Sequence, residues 1–115
     1  MDVKCAIGLA LFCFASPAMA LDCPTPQPYD HAGALRETPD QLAGLSNYLS
    51  TGDVSAKVPT VLADLRTRYP GAVRSEIMNY LVVAYCPDVA RGPGSDADKK
   101  AALNRFVQQV EAIIY

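Results

Sequence analysis

Along most of the chain apolar side chains recur at intervals of three and four, with polar residues between them, and that period predicts amphipathic helix. Leu42, Leu45 and Leu49 are spaced this way with Tyr48 beside them, directly after Thr38-Pro39-Asp40-Gln41. Those four residues form a helix start: threonine as N-cap, proline at the first helical position, an acid in the first turn, and glutamine placed to close a capping box. The spacing predicts a first helix over 39–50, ending before Gly52. In the next segment Val58, Val61, Leu62, Leu65 and Tyr69 fall on one face, with Asp64, Arg66 and Arg68 opposite. This second helix is expected to start at 53–55, to hold Pro59 within or at the opening of its first turn, and to stop at Tyr69-Pro70-Gly71.

The stretch SEIMNYLVVAYCPDVA, 75–90, is less direct. Its central run YLVVAY fits a buried strand or the middle of a buried helix equally well by periodicity. Context decides for helix, because a lone strand among helices would leave its backbone groups without partners. Ile77, Leu81 and Ala84 share one face and Met78, Val82 and Tyr85 the next, so this is expected to be the central helix, apolar nearly all round and ended by Pro87. Asn79 is its polar exception: buried, it needs hydrogen-bond partners and fixes the packing register; exposed, it marks the wet face. Residues 86–94 then form a turn-rich loop, and Ser95 caps a final helix with Asp96 and Asp98 at its positive end. Leu103, Phe106, Val107, Val110, Ile113 and Ile114 keep helical spacing from there.

The expected fold is all-α, a small antiparallel bundle of three to four helices over 38–115. Before it, 21–37 is an extended Pro-rich lead-in in which Pro24, Pro26 and Pro28 remove backbone donors that a helix or inner strand would need. The first twenty residues, MDVKCAIGLALFCFASPAMA, have another grammar: one lysine, an apolar run, Pro17 and then Ala-Met-Ala. That is the pattern of a secretory signal peptide cleaved after Ala20, and the apolar run is too short for a membrane anchor. The mature chain is therefore expected to be exported, periplasmic or secreted, without a stable membrane anchor.

Export changes how the cysteines are read. Removing 20 of 115 residues leaves 95 and takes away Cys5 and Cys13, so that Cys23 and Cys86 remain. In an oxidising compartment one disulfide between them is the default. It closes a loop across 63 positions and in the chain-entropy model is worth about 4 kcal/mol. Charge changes less: Asp2 and Lys4 cancel, so the net charge of −2 survives cleavage. There is no basic excess or stripe of the kind that nucleic-acid binding requires.

Candidate chemistry is sparse. His31, the one histidine, stands next to Asp30 in the lead-in, and no spacing brings it a nucleophile or an orienting group. A metal pair of Cys23 and His31 would lose its thiolate to the disulfide. Neither catalytic residues, nor metal ligands, nor a cofactor motif is assigned. Arg66, Arg68 and Arg74 cluster around the turn between the second and third helices and are a candidate surface for an acidic partner. Tyr48, Tyr80 and Tyr85 are candidate groove residues, alongside the plainer role of tyrosine in core and rim packing.

In size, compartment and cysteine count the chain resembles acid-activated periplasmic chaperones and helical periplasmic immunity proteins. No motif maps residue by residue, so the resemblance assigns no site. The expected function is that of a non-enzymatic protein-binding factor of inhibitor, immunity, chaperone or accessory-subunit type. The alternative is a small-ligand binder or minor enzyme with a pocket between helices.

Overall fold

A computed structural model describes residues 21–115; the expected signal peptide, 1–20, lies outside the described residues. Four helices, α1 (Pro39–Ser50), α2 (Val54–Arg68), α3 (Arg74–Arg91) and α4 (Asp96–Ile114), follow one another with short connections. They make the described chain 67% helical, and there is no strand among the described residues. The all-α bundle with an extended lead-in is thus the observed architecture.

Local chemistry sets the starts of three helices. The Thr38 hydroxyl accepts from the Gln41 N–H at 3.1 Å, while the Gln41 side chain accepts from the Thr38 N–H at 2.7 Å. Ser95 and Asp98 close the same reciprocal pair at the start of α4, at 3.1 and 3.3 Å. Asp53 caps α2 by accepting from the Ser55 N–H at 3.0 Å. Each cap satisfies amide donors that the helix itself leaves open.

Two helices depart from expectation at proline. Pro59 lies inside α2 rather than in its first turn, since the helix already begins at Val54. The cost is the helical donor to the Ser55 carbonyl, which accepts instead from the Gln109 side-chain amide of α4 at 3.1 Å. Pro87 does not end α3, which runs on to Arg91. Only the Val83 carbonyl loses its donor there, and the turn beyond is held by Lys99 Nζ donating to the Ala90 carbonyl at 2.8 Å. Packing of α3 on α4 outweighs the single bond that proline removes.

The helix α3 packs against both α1 and α4, and α2 also bridges α1 and α4, so the four enclose one core. Leu49, Leu62, Leu65, Ile77, Leu81 and Val110 are almost completely buried there. Burying each such side chain stabilises the fold by about 1.5–3 kcal/mol relative to leaving it exposed. The lead-in adds Ala34 and Leu35 to the buried set and is tied down by a disulfide between Cys23 and Cys86, with Cα atoms 5.6 Å apart. It is a strap along α3. Its turn touches the α2–α3 connection so closely that a Cβ at Gly71 would stand 2.8 Å from the Gly33 Cα, and Gly33 itself has φ +79°.

Candidate functional site

Glu76, in the first turn of α3, is a buried carboxylate with only 4% of its surface exposed. A buried charge is costly unless it is paired and hydrogen-bonded, and here the strap supplies the partners. Glu76 Oε1 accepts from the Val73 N–H at 3.0 Å, which is one half of a capping box because valine offers no side-chain acceptor in return. The same oxygen meets His31 Nε2, and Oε2 accepts from the Leu35 N–H at 3.4 Å. The other ring nitrogen of His31 faces the Ala32 carbonyl at 3.0 Å. Two acceptors on one imidazole favour its doubly protonated form, and the bond to Glu76, then that to Ala32, raise the His31 pKa above its ordinary value. For Glu76, burial pushes the pKa up, but the bonds from Val73, His31 and Leu35 together outweigh it and hold the carboxyl below its ordinary value.

Six residues further along the strap, Glu37 is the second enclosed carboxylate, its side chain only 4% exposed. It pairs with Arg68 and accepts from the Tyr69 hydroxyl at 2.8 Å and the Tyr80 hydroxyl at 3.0 Å. Burial raises its pKa, and the three donors, Arg68 foremost, more than reverse that. Burial and then the Glu37 charge push the Tyr80 phenol well above the usual tyrosine range. Arg68 is held on its other side by Asp64 at 2.8 Å. Both carboxylates are therefore saturated by donors of the protein itself, which makes them anchors for the strap.

Beside Glu37 a cleft of about 370 Å³ opens between strap, α1 and α3. Pro26, Pro28, Leu42 and Val83 give it apolar walls, and Tyr80 and Asn79 supply polar groups. Half-buried Asn79 donates to the Tyr29 hydroxyl at 2.8 Å, and that hydroxyl reaches the backbone carbonyl of Glu76 at 3.5 Å. Asn79 thus has the partner that burial demands, and the partner lies on the strap.

The other notable surface is one end of the bundle, where the α2–α3 turn meets the end of α4. A depression of about 550 Å³ lies there with Ile77 and Ile114 in its lining and Arg66 and Arg74 among its residues. Arg66 Nη2 donates to the Ile114 carbonyl at 3.3 Å, and the Arg74 guanidinium stands 5.6 Å from the centre of the Tyr115 ring. Val73, Ile113 and Tyr115 at this end are 50%, 39% and 66% exposed.

The structure divides the residues singled out in the sequence among several places. Arg66 and Arg74 share the end depression, whereas Arg68 turns to Glu37 and Asp64. Tyr80 lines the cleft beneath the strap; Tyr48 is exposed on α1 with Lys57 Nζ 4.4 Å from its ring centre. Tyr85 stacks on Phe106 with centroids 4.3 Å apart, between α3 and α4. Glu76 and Glu37 were not marked by sequence reasoning as site residues. The one available signal was Glu76 at the third position of a helix, where it reads as a capping acid; nothing local announces that the strap will cover it. Among the described residues no group of three or more histidine, cysteine or acidic side chains is placed to hold a metal ion, and no described helix is long and apolar enough to cross a membrane.

Comparison with family models, with curated proteins and with solved structures gives no match to this chain.

Proposed function

We propose that the mature chain is an exported, non-enzymatic factor that binds a protein partner through the end of the bundle formed by the α2–α3 turn and the end of α4. The observation that carries this reading is the exposure of Val73, Ile113 and Tyr115 beside a depression lined by Ile77 and Ile114. Large apolar side chains gathered in one place on a surface gain by being covered. The scaffold behind them is braced by a disulfide and by two saturated carboxylates, which suits a surface presented in a fixed shape.

The test is capture of partners by the oxidised mature protein from an envelope extract of its own cells, run in parallel with a Val73→Asp/Ile113→Asp variant whose circular dichroism matches wild type. A partner retained by wild type and lost by the variant supports the reading. Equal retention by both, or no partner, removes it.

A second reading has its own observation in the cleft beneath the strap, whose size falls in the range of small-molecule sites and whose apolar walls surround Asn79 and Tyr80. It takes a small apolar ligand with a hydrogen-bonding group. Fragment screening by NMR that shifts Asn79 and Val83 signals, and leaves Val73 and Ile113 unmoved, would favour it.

A further inference from the structure

The partner surface has a chemistry beyond being apolar. We infer that the end depression recognises an acidic segment carrying a large apolar side chain, with Arg66 and Arg74 meeting the acid and Ile77 and Ile114 receiving the anchor; this rests on the reading of that end as the binding surface.

The unpaired arginines set the class of partner. Three arginines lie near the α2–α3 turn, and Arg68 is committed to two carboxylates. Among the described residues Arg66 and Arg74 pair with none; Arg66 donates to a backbone carbonyl and Arg74 stands over an aromatic face. Two acids lie close by. Glu76 is buried and turned toward the strap, where His31 neutralises it. Glu111 is exposed on α4, one turn before Tyr115, whose N–H donates to the Glu111 carbonyl at 3.0 Å. Arg66 and Arg74 are therefore two guanidinium groups at this end without a carboxylate partner among the described residues, although the chain as a whole carries a net charge of −2. Guanidinium groups that lack a carboxylate of their own suit an acidic partner.

The apolar part narrows the choice. The two arginines come from different helices and flank an aliphatic lining, so a carboxylate held between them places the neighbouring side chain of the same partner over Ile77 and Ile114. Guanidinium groups beside apolar surface are weakly hydrated and suit bidentate contact with carboxylate. A simple anion would use the arginines and leave Val73, Ile113 and Tyr115 uncovered, whereas an acidic peptide with a leucine or phenylalanine uses both features.

The experiment is an NMR titration of the oxidised mature protein with three capped hexapeptides. One carries a Leu-Phe pair flanked by two acidic residues on each side, one replaces that pair by Ala-Ala, and one replaces the acids by lysines. The expected result is that the acidic Leu-Phe peptide shifts Ala72, Val73, Ile113 and Tyr115 signals, and that either replacement weakens binding roughly tenfold, as the loss of one such contribution does. Arg74→Gln should weaken it similarly, and added salt should weaken it further. Arg66→Gln is the second variant, its fold checked by near-ultraviolet dichroism because Arg66 also bonds the Ile114 carbonyl. Equal binding of the lysine peptide overturns the acidic preference and leaves the surface reading standing. Absence of shifts at this end with all three peptides overturns the acidic-segment inference, while the surface reading is judged separately by partner capture with Val73→Asp/Ile113→Asp. Two further outcomes count against the inference: the same residues shifting with anionic phosphatidylglycerol vesicles in preference to the peptide, or with protein concentration alone, which points to a second copy of this chain.

Discussion

A single bond between strap and bundle, that of His31 to Glu76, is built from two groups that must both be charged. His31 is raised above its ordinary 6.5, so its contribution is complete below that value and is lost as pH rises through the folded pKa. Glu76 is lowered below its ordinary 4.5, so its contribution is present above that value and is lost as pH falls through the folded pKa. The pair is complete between these limits. His31→Ala should therefore lower Tm more at about pH 5.5 than at about pH 8.5, because the charge on the wild-type imidazole is lost as pH rises through its raised folded pKa. An equal loss of Tm at both values would show that His31 acts by packing. At the second carboxylate, Tyr80→Phe removes one of three kinds of donor to Glu37 and keeps the ring in place. Urea unfolding should register a loss of about 1 kcal/mol, the ordinary net worth of a hydrogen bond, since Arg68 and Tyr69 still satisfy the acid.

Between elements, the strap turn comes so close to the α2–α3 connection that only two glycines allow it. A Cβ at Gly71 would meet the Gly33 Cα at 2.8 Å and the Ala32 carbonyl oxygen at 3.2 Å, both backbone atoms that cannot rotate away. Gly71→Ala should destabilise by about 1–3 kcal/mol, as other overpacked sites do. Gly44 is the internal control: it lies in α1 with nothing within 4 Å of its missing Cβ, so Gly44→Ala should stabilise by about 0.5–1 kcal/mol through helix propensity. Thermal unfolding of the two variants separates the effects, because they must have opposite signs. This contact also marks where sequence reasoning stops. The bounds of α1, the caps at Thr38 and Ser95 and the start of α2 at 53–55 were legible, since capping is written in neighbouring residues. The run of α3 past Pro87 was not, because tertiary packing overrode a local stop. Nor was the burial of Glu76 and Glu37, for their partners lie 45 and 31 positions away and no short-range pattern carries a long-range pair. Even the arginine cluster was legible only as proximity in sequence; which member is neutralised depends on where the strap runs.

For the molecule as a whole, the strap is held by attachments distinct from the helix–helix contacts, and it contributes Leu35 to the core they enclose. The disulfide ties it at one end, Asn79 holds Tyr29 near its middle, and Glu76 and Glu37 fix the rest. Both acids have lowered pKa values, so both contributions stay intact above their ordinary 4.5 and fade only as pH falls below it. In the oxidised protein a hydrophobic dye should accordingly begin to bind only below about pH 4.5, with helical dichroism retained, as the strap withdraws Leu35 from the core and uncovers the cleft. A Cys23→Ser/Cys86→Ala variant loses about 4 kcal/mol in the chain-entropy model, and its dye binding should begin at higher pH because fewer attachments remain to be broken. Onset between about pH 5 and 7 in the oxidised protein would contradict this, since neither carboxylate is protonated there in the folded state. It would move the acid trigger from the strap to some other group. The outcome also bears on the acid-activated chaperone version of the binding reading: opening confined to strongly acid conditions supports that version, and no opening even at about pH 3 removes it while leaving the end surface as a binding site at neutral pH.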